Sequence, residues 1–462
     1  MKAKIHKFEQ NGTYILLDVN SGAVHVIDKM IYDLMDTFTG ENDEENFHAW
    51  AHAYPEADIR EALGELHTLM EQQELFAPDI DVPPTFRQHG LVKSLCLMVA
   101  QDCNLRCKYC FGDGGSYGQE RAVMTPDVGR AAIDFLIEKS GPRKHCEVDF
   151  FGGEPLMNMK TVKAVTEYAR KKEQETGKRF KLTLTTNGML LTDENIQWLD
   201  DHDFSLVLSL DGRKEVNDAM RPDVGGHGTY DRIVRNFRRC IESRKGGNYD
   251  YRGVYTYLRG TYTHENLDFT KDVLSMHDAG FDILSLEPVV LKDSPYAITE
   301  DDLPRVYAEY DRLVDAYMER RRAGHGFWFF HFNMDLSNGP CVAKRLSGCG
   351  AGHEYFAVAE NGDLYPCHQF VGREGYRLGS LSEGVTRPEL SQYFRESHVL
   401  NKEKCRDCWA RFFCSGGCHA NADLFHGDIR QPYEIGCAIQ KKRLECAILV
   451  QALQTLEANE KQ

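Results

Sequence analysis

Cys103, Cys107 and Cys110 stand in the run CNLRCKYC. Thiolates at these spacings can hold three irons of a four-iron cluster from one short loop and leave the fourth iron open, whereas such clusters ordinarily take four cysteines. An open iron points to a cluster that does chemistry rather than one that only carries electrons. The plain alternatives are a zinc site or three unrelated cysteines. Downstream, Cys349 and Cys367 are followed by Cys405, Cys408, Cys414 and Cys418 in the order Cys-x2-Cys-x5-Cys-x3-Cys, and then by Cys437. Eight of the 15 cysteines lie between Cys341 and Cys437. A pair of zinc ribbons is the bland reading of that clustering. Cys96, Cys146, Cys240 and Cys446 lie in strand or helix patterns and read as core or surface thiols.

A second group of residues could surround a polar ligand. In FFGGEP (150–155), Gly152 and Gly153 permit close approach to the backbone, and Glu154 can accept from an ammonium group. TTNG (185–188) offers Thr186 and Asn187, and LSLDG (208–212) offers Ser209 and Asp211, which suit a ribose. Arg221 matches a carboxylate bidentately. The competing explanations are strand-end capping for the first four and a surface ion pair for Arg221.

The elements that must position these residues follow from periodicity. Six strand candidates at 94–100, 147–151, 181–186, 205–210, 252–258 and 283–289 alternate with amphipathic helices. Near-continuous apolar strands between helices predict a parallel sheet covered by helices, an α/β fold that becomes a partial barrel if curved. Ligands then bind at the carboxyl ends of the strands, and the three-cysteine loop directly follows the first. Ahead of this, KIHKFEQ, YILLDV and AVHVID read as three strands, followed by helical stretches around 29–38 and 59–75. DVPPTF at 81–86 reads as a linker. Residues 301–323 predict one long helix, FWFFHFN (327–333) a buried aromatic run, and the tail from Ala438 a docked helix. The expected boundaries are 1–80, a linker at 81–93, a barrel at 94–325, a metal-stapled domain at 326–440 and a helix at 441–462.

With 462 residues and a formal charge of −16, the chain argues against nucleic acid or anionic membrane as its main partner. The N-terminus lacks the apolar stretch of a signal peptide, so a reducing cytoplasmic location is expected, with thiolates and metals rather than disulfides.

The triplet, with Tyr109 before its last cysteine, resembles the radical S-adenosylmethionine (radical SAM) enzymes. GGEP, TTNG, LSLDG and Arg221 resemble their cofactor-binding segments. The later cysteine order resembles the SPASM extension of radical SAM enzymes that modify peptides and proteins. This resemblance implies three [4Fe-4S] clusters and S-adenosyl-L-methionine. Cys103, Cys107 and Cys110 would hold the first cluster. Cys405, Cys408, Cys414 and Cys437 would hold an outer auxiliary cluster, and Cys349, Cys367 and Cys418 an inner one. Cys341 either completes the inner cluster or leaves an iron there for a substrate thiolate. His368, directly after Cys367, would serve as a base or as a donor to the cluster.

The first 80 residues resemble the winged-helix RiPP recognition element, which captures leader peptides by strand addition. The start KIHKFEQNGTYILLDVNSGAVHVID and the stretch NGPCVAKRLSGCGAGHEY…GDLYPCHQF are similar to maturases of SCIFF peptides, short Cys-rich ribosomal precursors. The implied reaction is a thioether crosslink from a Cys sulfur to an acceptor carbon, begun by a 5′-deoxyadenosyl radical. A reduced flavodoxin or ferredoxin is the implied electron donor. Rival readings are an anaerobic sulfatase maturase, which has an Asp where His368 stands, a quinohaemoprotein-type maturase, and a non-catalytic iron–sulfur carrier.

Overall fold

Asn11 and Gly12 both take positive φ, 52° and 75°. This is the backbone of a type I′ turn, whose twist matches a tight hairpin. It joins β1 (Ile5–Gln10) to β2 (Thr13–Asp18), and β3 (Val24–Ile27) pairs antiparallel with β2. The structure is a computed structural model describing residues 4–82, 90–244, 254–336, 339 and 342–460. The predicted helices of this module form at Lys29–Leu34, where the Asp28 side chain caps Ile31 N, and at Glu56–Glu71. The latter buries Ile59, Ala62, Leu63 and Leu66 on one face. A further helix, Asp43–Trp50, was not evident from periodicity, because its first turn is Asp43, Glu44 and Glu45 and it buries little.

The six predicted barrel strands form β4 (Ser94–Ala100), β5 (His145–Gly152), β6 (Arg179–Thr186), β7 (Phe204–Ser209), β8 (Thr256–Tyr262) and β9 (Ile283–Pro288). They are parallel neighbours in chain order, as successive strand–helix units with right-handed crossovers require. Helices Pro126–Lys139, Met159–Thr176, Asp193–Asp201, Tyr230–Arg244 and Thr270–Asp278 cover the outer face. Residues 252 and 253 of the fifth predicted strand lie outside the described residues. The result is the α/β partial barrel expected from the sequence.

Three expectations need correction. First, apart from β4, buried along its whole length, the strands are not apolar on both faces. β6 alternates, with Phe180, Leu182 and Leu184 buried against the helices and Lys181, Thr183 and Thr185 lining an internal cavity. Second, the sheet does not stop at residue 325. β10 (Trp328–Phe329) adds to β9, and β11 (Tyr355–Val358) adds parallel to β4. The antiparallel β12 (Asp363–Tyr365), β13 (Gly379–Ser380) and β14 (Gly384–Val385) follow β11, so the Cys-rich segment continues the barrel sheet. Third, the aromatic run is only half buried: Phe327, Phe329 and Phe332 are inside, while Trp328 and Phe330 are exposed.

The C-terminal helix runs Glu434–Asn459, so Cys437 sits in its first turn. It buries Leu444 and the run Cys446–Val450. Ile448 and Ala452 pack against Phe8, Ile15 and Leu17 of the N-terminal sheet. His6 stacks on Trp409 with ring centroids 3.8 Å apart, and Gln10 donates to Asp311 at 2.6 Å.

Candidate active site

The CNLRCKYC loop leaves the end of β4 and is pinned by its backbone. Arg106 N donates to Pro222 O at 2.8 Å and Lys108 N to Met220 O at 2.9 Å. Leu105 N donates to Cys103 Sγ at 3.4 Å, and Asn187 Nδ2 lies 3.5 Å from the same sulfur. Burial pushes the Cys103 thiol up to about 12 and Cys107 up to about 11. These thiols therefore keep their protons until a cation supplies the compensating charge, the usual behaviour of metal-ligating cysteines.

The GGEP segment locks this loop. Gly153 N donates to Ala100 O at 2.7 Å and Glu154 N to Asp102 O at 2.9 Å. A Cβ on Gly153 would fall 2.1 Å from Asp102 O, and one on Gly152, whose φ is +132°, would fall 2.3 Å from Ala100 O. Both glycines are thus required by the strand end that launches the cysteines, a stronger demand than ligand approach. Glu154 is fully buried. It accepts from Thr186 Oγ1 at 2.8 Å, Asn187 N at 2.8 Å and Leu156 N at 3.0 Å. Burial still raises its carboxyl to about 7 against those bonds. Glu154 therefore ties β5 to the TTNG turn from behind the cavity wall, where Gly152, Gly153, Thr186 and Asn187 face inward.

Tyr109, Asp211 and Arg221 form a buried triad rather than three separate ligand contacts. Tyr109 Oη donates to Asp211 Oδ2 at 2.6 Å, and Arg221 Nη1 donates to Tyr109 Oη at 3.0 Å. Asp211 Oδ1 also accepts from Thr261 N at 3.0 Å. Arg221 Nε is buried without a hydrogen-bond partner, while Arg221, Tyr109 and Ser209 line the cavity. An orphaned guanidinium donor there fits an anionic ligand group. Asp211 faces its partners instead.

The later cysteines gather into two neighbourhoods. Cys405, Cys408, Cys414 and Cys437 lie within mutual electrostatic range, and Cys349, Cys367 and Cys418 do so separately. Cys341 lies outside the described residues. Among the described residues no three His, Cys, Asp or Glu side chains converge closely enough for a single metal ion.

One cavity of about 990 Å³ joins these parts. Its wall includes Cys103, Cys107, Cys110, Cys414, Cys418 and Cys437. The volume reaches the top of the range for single small-molecule sites. His368 faces it, its ring tilted against Phe151 with centroids 4.7 Å apart and Nδ1 3.3 Å from Tyr355 Oη. Burial, assisted by Arg259, pushes His368 down to about 4. The ring is neutral near pH 7, a hydrogen-bond donor rather than an effective base.

Sequence reasoning missed Tyr117, whose hydroxyl donates to Gly152 O at 3.1 Å, and the charged wall formed by Arg259, Glu287 and Arg443, with the His331 ring 3.3 Å from Glu287. Arg443 donates to Glu287 at 2.8 Å. Burial opposes the Glu287 charge, but His331, Arg443 and Arg259 prevail and hold the carboxyl down at about 2. The alternation Tyr257, Arg259, Thr261 on β8, begun by Tyr255 just before it, carried the signal that this strand has a polar inner face.

Residues 97–261 match the Radical SAM superfamily model. The pinned triplet stands at the head of that segment, and the chain is similar to radical SAM enzymes that mature proteins and peptides. It is 24% identical over 370 residues to the radical SAM cyclopropyl synthase TigE of Paramaledivibacter caminithermalis, covering 76% of this chain and 72% of that one. It is 25% identical over 342 residues to the cysteine-type anaerobic sulfatase-maturating enzyme of Clostridium perfringens strain 13, covering 70% and 87%. The fold matches native anSMEcpe with bound AdoMet at a TM-score of 0.63 and 22% identity, over 78% of this chain and 98% of that one. It matches Streptococcus suis SuiB bound to S-adenosylmethionine at 0.52 and 15%, over 95% and 99%. No helix among the described residues is long and apolar enough to cross a membrane.

Proposed function

We propose that this chain is a peptide maturase that forms thioether crosslinks in a Cys-rich ribosomal precursor, in the manner of the SCIFF maturases. The observation that carries the reading is one cavity lined both by the cysteine triplet and by cysteines of the C-terminal segment. A relative's fold with peptide bound, that of anSMEcpe with AdoMet and Kp18Cys peptide, supports polypeptide as the substrate class.

The first cluster and S-adenosylmethionine would supply, when bound, a 5′-deoxyadenosyl radical that takes a hydrogen atom from carbon, and the auxiliary clusters would accept the electron left over. Cys103, Cys107 and Cys110 hold the first cluster. Cys405, Cys408, Cys414 and Cys437 hold the outer auxiliary cluster, and Cys349, Cys367 and Cys418, with or without Cys341, the inner one. Thr186, Asn187, Ser209 and Arg221 surround the cofactor, with the triad through Tyr109 and Asp211 fixing the Arg221 guanidinium. The neutral His368 donates toward sulfur rather than taking the acceptor's proton, which separates this site from one built on an Asp base. The acceptor C–H yields a hydrogen atom, the substrate thiol yields a proton, the C–S bond forms and one electron departs, so each crosslink removes a pair of hydrogens.

The leader docks on β3, which pairs with β2 alone among the described strands and exposes Val26. Strand addition there gives affinity through backbone bonds. The test is anaerobic incubation of reconstituted protein with dithionite, S-adenosylmethionine and a Cys-rich precursor peptide of the proposed kind. Tandem mass spectrometry is expected to show crosslinks that alkylation cannot open. A peptide whose cysteines all remain alkylatable overturns the thioether reading and returns the sulfatase-maturase type to first place.

A further inference from the structure

Arg411 is 3% exposed and Asn20 is 4% exposed, and the two side chains meet although 391 positions separate them in the chain. Arg411 opens the short helix Arg411–Cys414, in the loop between Cys408 and Cys414 of the outer cysteine set. Its Nη1 donates to Cys408 O at 3.1 Å and its Nη2 to Asn20 Oδ1 at 2.6 Å. A guanidinium carries its donors in a rigid planar fork, so two bonds made at once fix one acceptor relative to the other.

The far end of this bridge is firmly anchored. Asn20 stands in the turn between β2 and β3, where its N donates to Asp18 Oδ1 at 3.1 Å and its Nδ2 to Ala77 O at 2.9 Å. Asp18 is fully buried and also accepts from Ser21 N at 2.8 Å and from Ala77 N at 3.1 Å. The neighbours of Arg411 lean on the same module. Trp409 stacks on His6 with ring planes 2° apart, and Trp409 and Phe413 pack with Phe8, Ile15 and Leu17. Phe412 and Cys405 share a core with Ile80 and Val82. Cys437 sits in the first turn of the helix whose Ile448 and Ala452 cover the N-terminal sheet. Cys367 of the inner set lies instead in the barrel core. A helix of four residues cannot hold its own shape, so the loop between Cys408 and Cys414 takes its shape from these contacts.

Resting on the auxiliary-cluster reading, we infer that Arg411 is a positioning residue which, through Asn20, fixes the Cys408–Cys414 loop on the N-terminal module, so that this module forms part of the outer cluster's site. The module then has a task besides leader docking. Groups that orient metal ligands without binding the metal contribute about 10–100-fold to its retention.

The experiment uses reconstituted full-length protein carrying Cys103→Ala, Cys107→Ala and Cys110→Ala, so that only auxiliary clusters give electron paramagnetic resonance signals. Cys437→Ala in the same background identifies the outer one. Asn20→Ala and Arg411→Met are each expected to shift the outer signal and to speed its loss to an iron chelator at least about tenfold, while the inner signal stays as in the parent. The double variant is expected to match either single one, because both residues act through one bond. Asn20→Ala leaves the cysteine segment untouched and decides on the same terms if Arg411→Met does not fold. An outer signal and a rate of loss equal to the parent's in the single variants overturn the inference, and so does equal disturbance of both signals. A parent protein with no auxiliary iron overturns the cluster reading itself, an outcome distinct from the others because it precedes any change at Asn20 or Arg411.

Discussion

Among single residues, His331 carries the clearest physical consequence of a polar barrel interior. Burial, with Arg443 and Arg259 adding to it, holds His331 down at about 3 against an ordinary value of 6.5. Between those values the unfolded chain binds a proton that the folded chain refuses, so stability falls as pH drops from 6.5 toward 3. By pH 5 the loss from this residue is about 2 kcal/mol. His368 and His419 are depressed by burial in the same direction, to about 4 and about 3. The thermal unfolding midpoint is expected to fall between pH 7 and pH 5, and His331→Gln to show a visibly shallower fall. An identical pH dependence in the variant would contradict the assignment. The cysteines were legible at this scale because their spacing alone marks a cluster. The partners of Tyr109, Asp211 and Glu154 were not, since residues about 30 to 110 positions apart in sequence meet only after the strands have aligned their ends.

At the scale of elements, the junction of β4 and β5 holds the site together through backbone contacts. Gly153→Ala would set a Cβ 2.1 Å from a backbone oxygen that no side-chain rotation can relieve. The expected result is a loss of about 1–3 kcal/mol of stability and a displaced cysteine loop. Iron retained by the triplet, measured in the protein lacking the auxiliary cysteines, should drop while the circular dichroism spectrum is kept. Full iron occupancy would show that the loop does not depend on this contact. The repeated strand–helix pattern was readable because each helix has one apolar face. The helix Pro126–Lys139 buries Ala132, Ile133, Phe135 and Leu136, with Thr125 capping Val128 N. The helices Asp43–Trp50 and Lys214–Met220 were not readable, because tertiary contacts rather than a long apolar stripe sustain them. β11 to β14 escaped notice because strands of two to four residues among glycines leave almost no periodic trace.

Over the whole molecule, the N-terminal sheet and the C-terminal helix share a core, so the N-terminal module and the Cys437 end of the chain are mechanically joined. The alternating pattern of the three N-terminal strands predicted the sheet, but nothing in it foretold that Ile448 and Ala452 would cover one face. The module's free edge makes a direct prediction. Val26→Lys or Val26→Glu, at an exposed edge position, should change stability by less than about 0.5 kcal/mol. Either charge should weaken binding of the precursor's leader at least about tenfold by obstructing strand addition. Leader affinity equal to wild type in both variants would move the docking site elsewhere.

The proposed function couples radical generation at the triplet to sulfur–carbon bond formation in a polypeptide. The ratio of 5′-deoxyadenosine formed to hydrogens lost by the Cys-rich peptide, followed over time under anaerobic turnover, decides whether the two are coupled. One 5′-deoxyadenosine is expected for each pair of hydrogens lost. 5′-Deoxyadenosine accumulating while the peptide mass stays constant, or a mass change other than loss of hydrogen pairs, would contradict it.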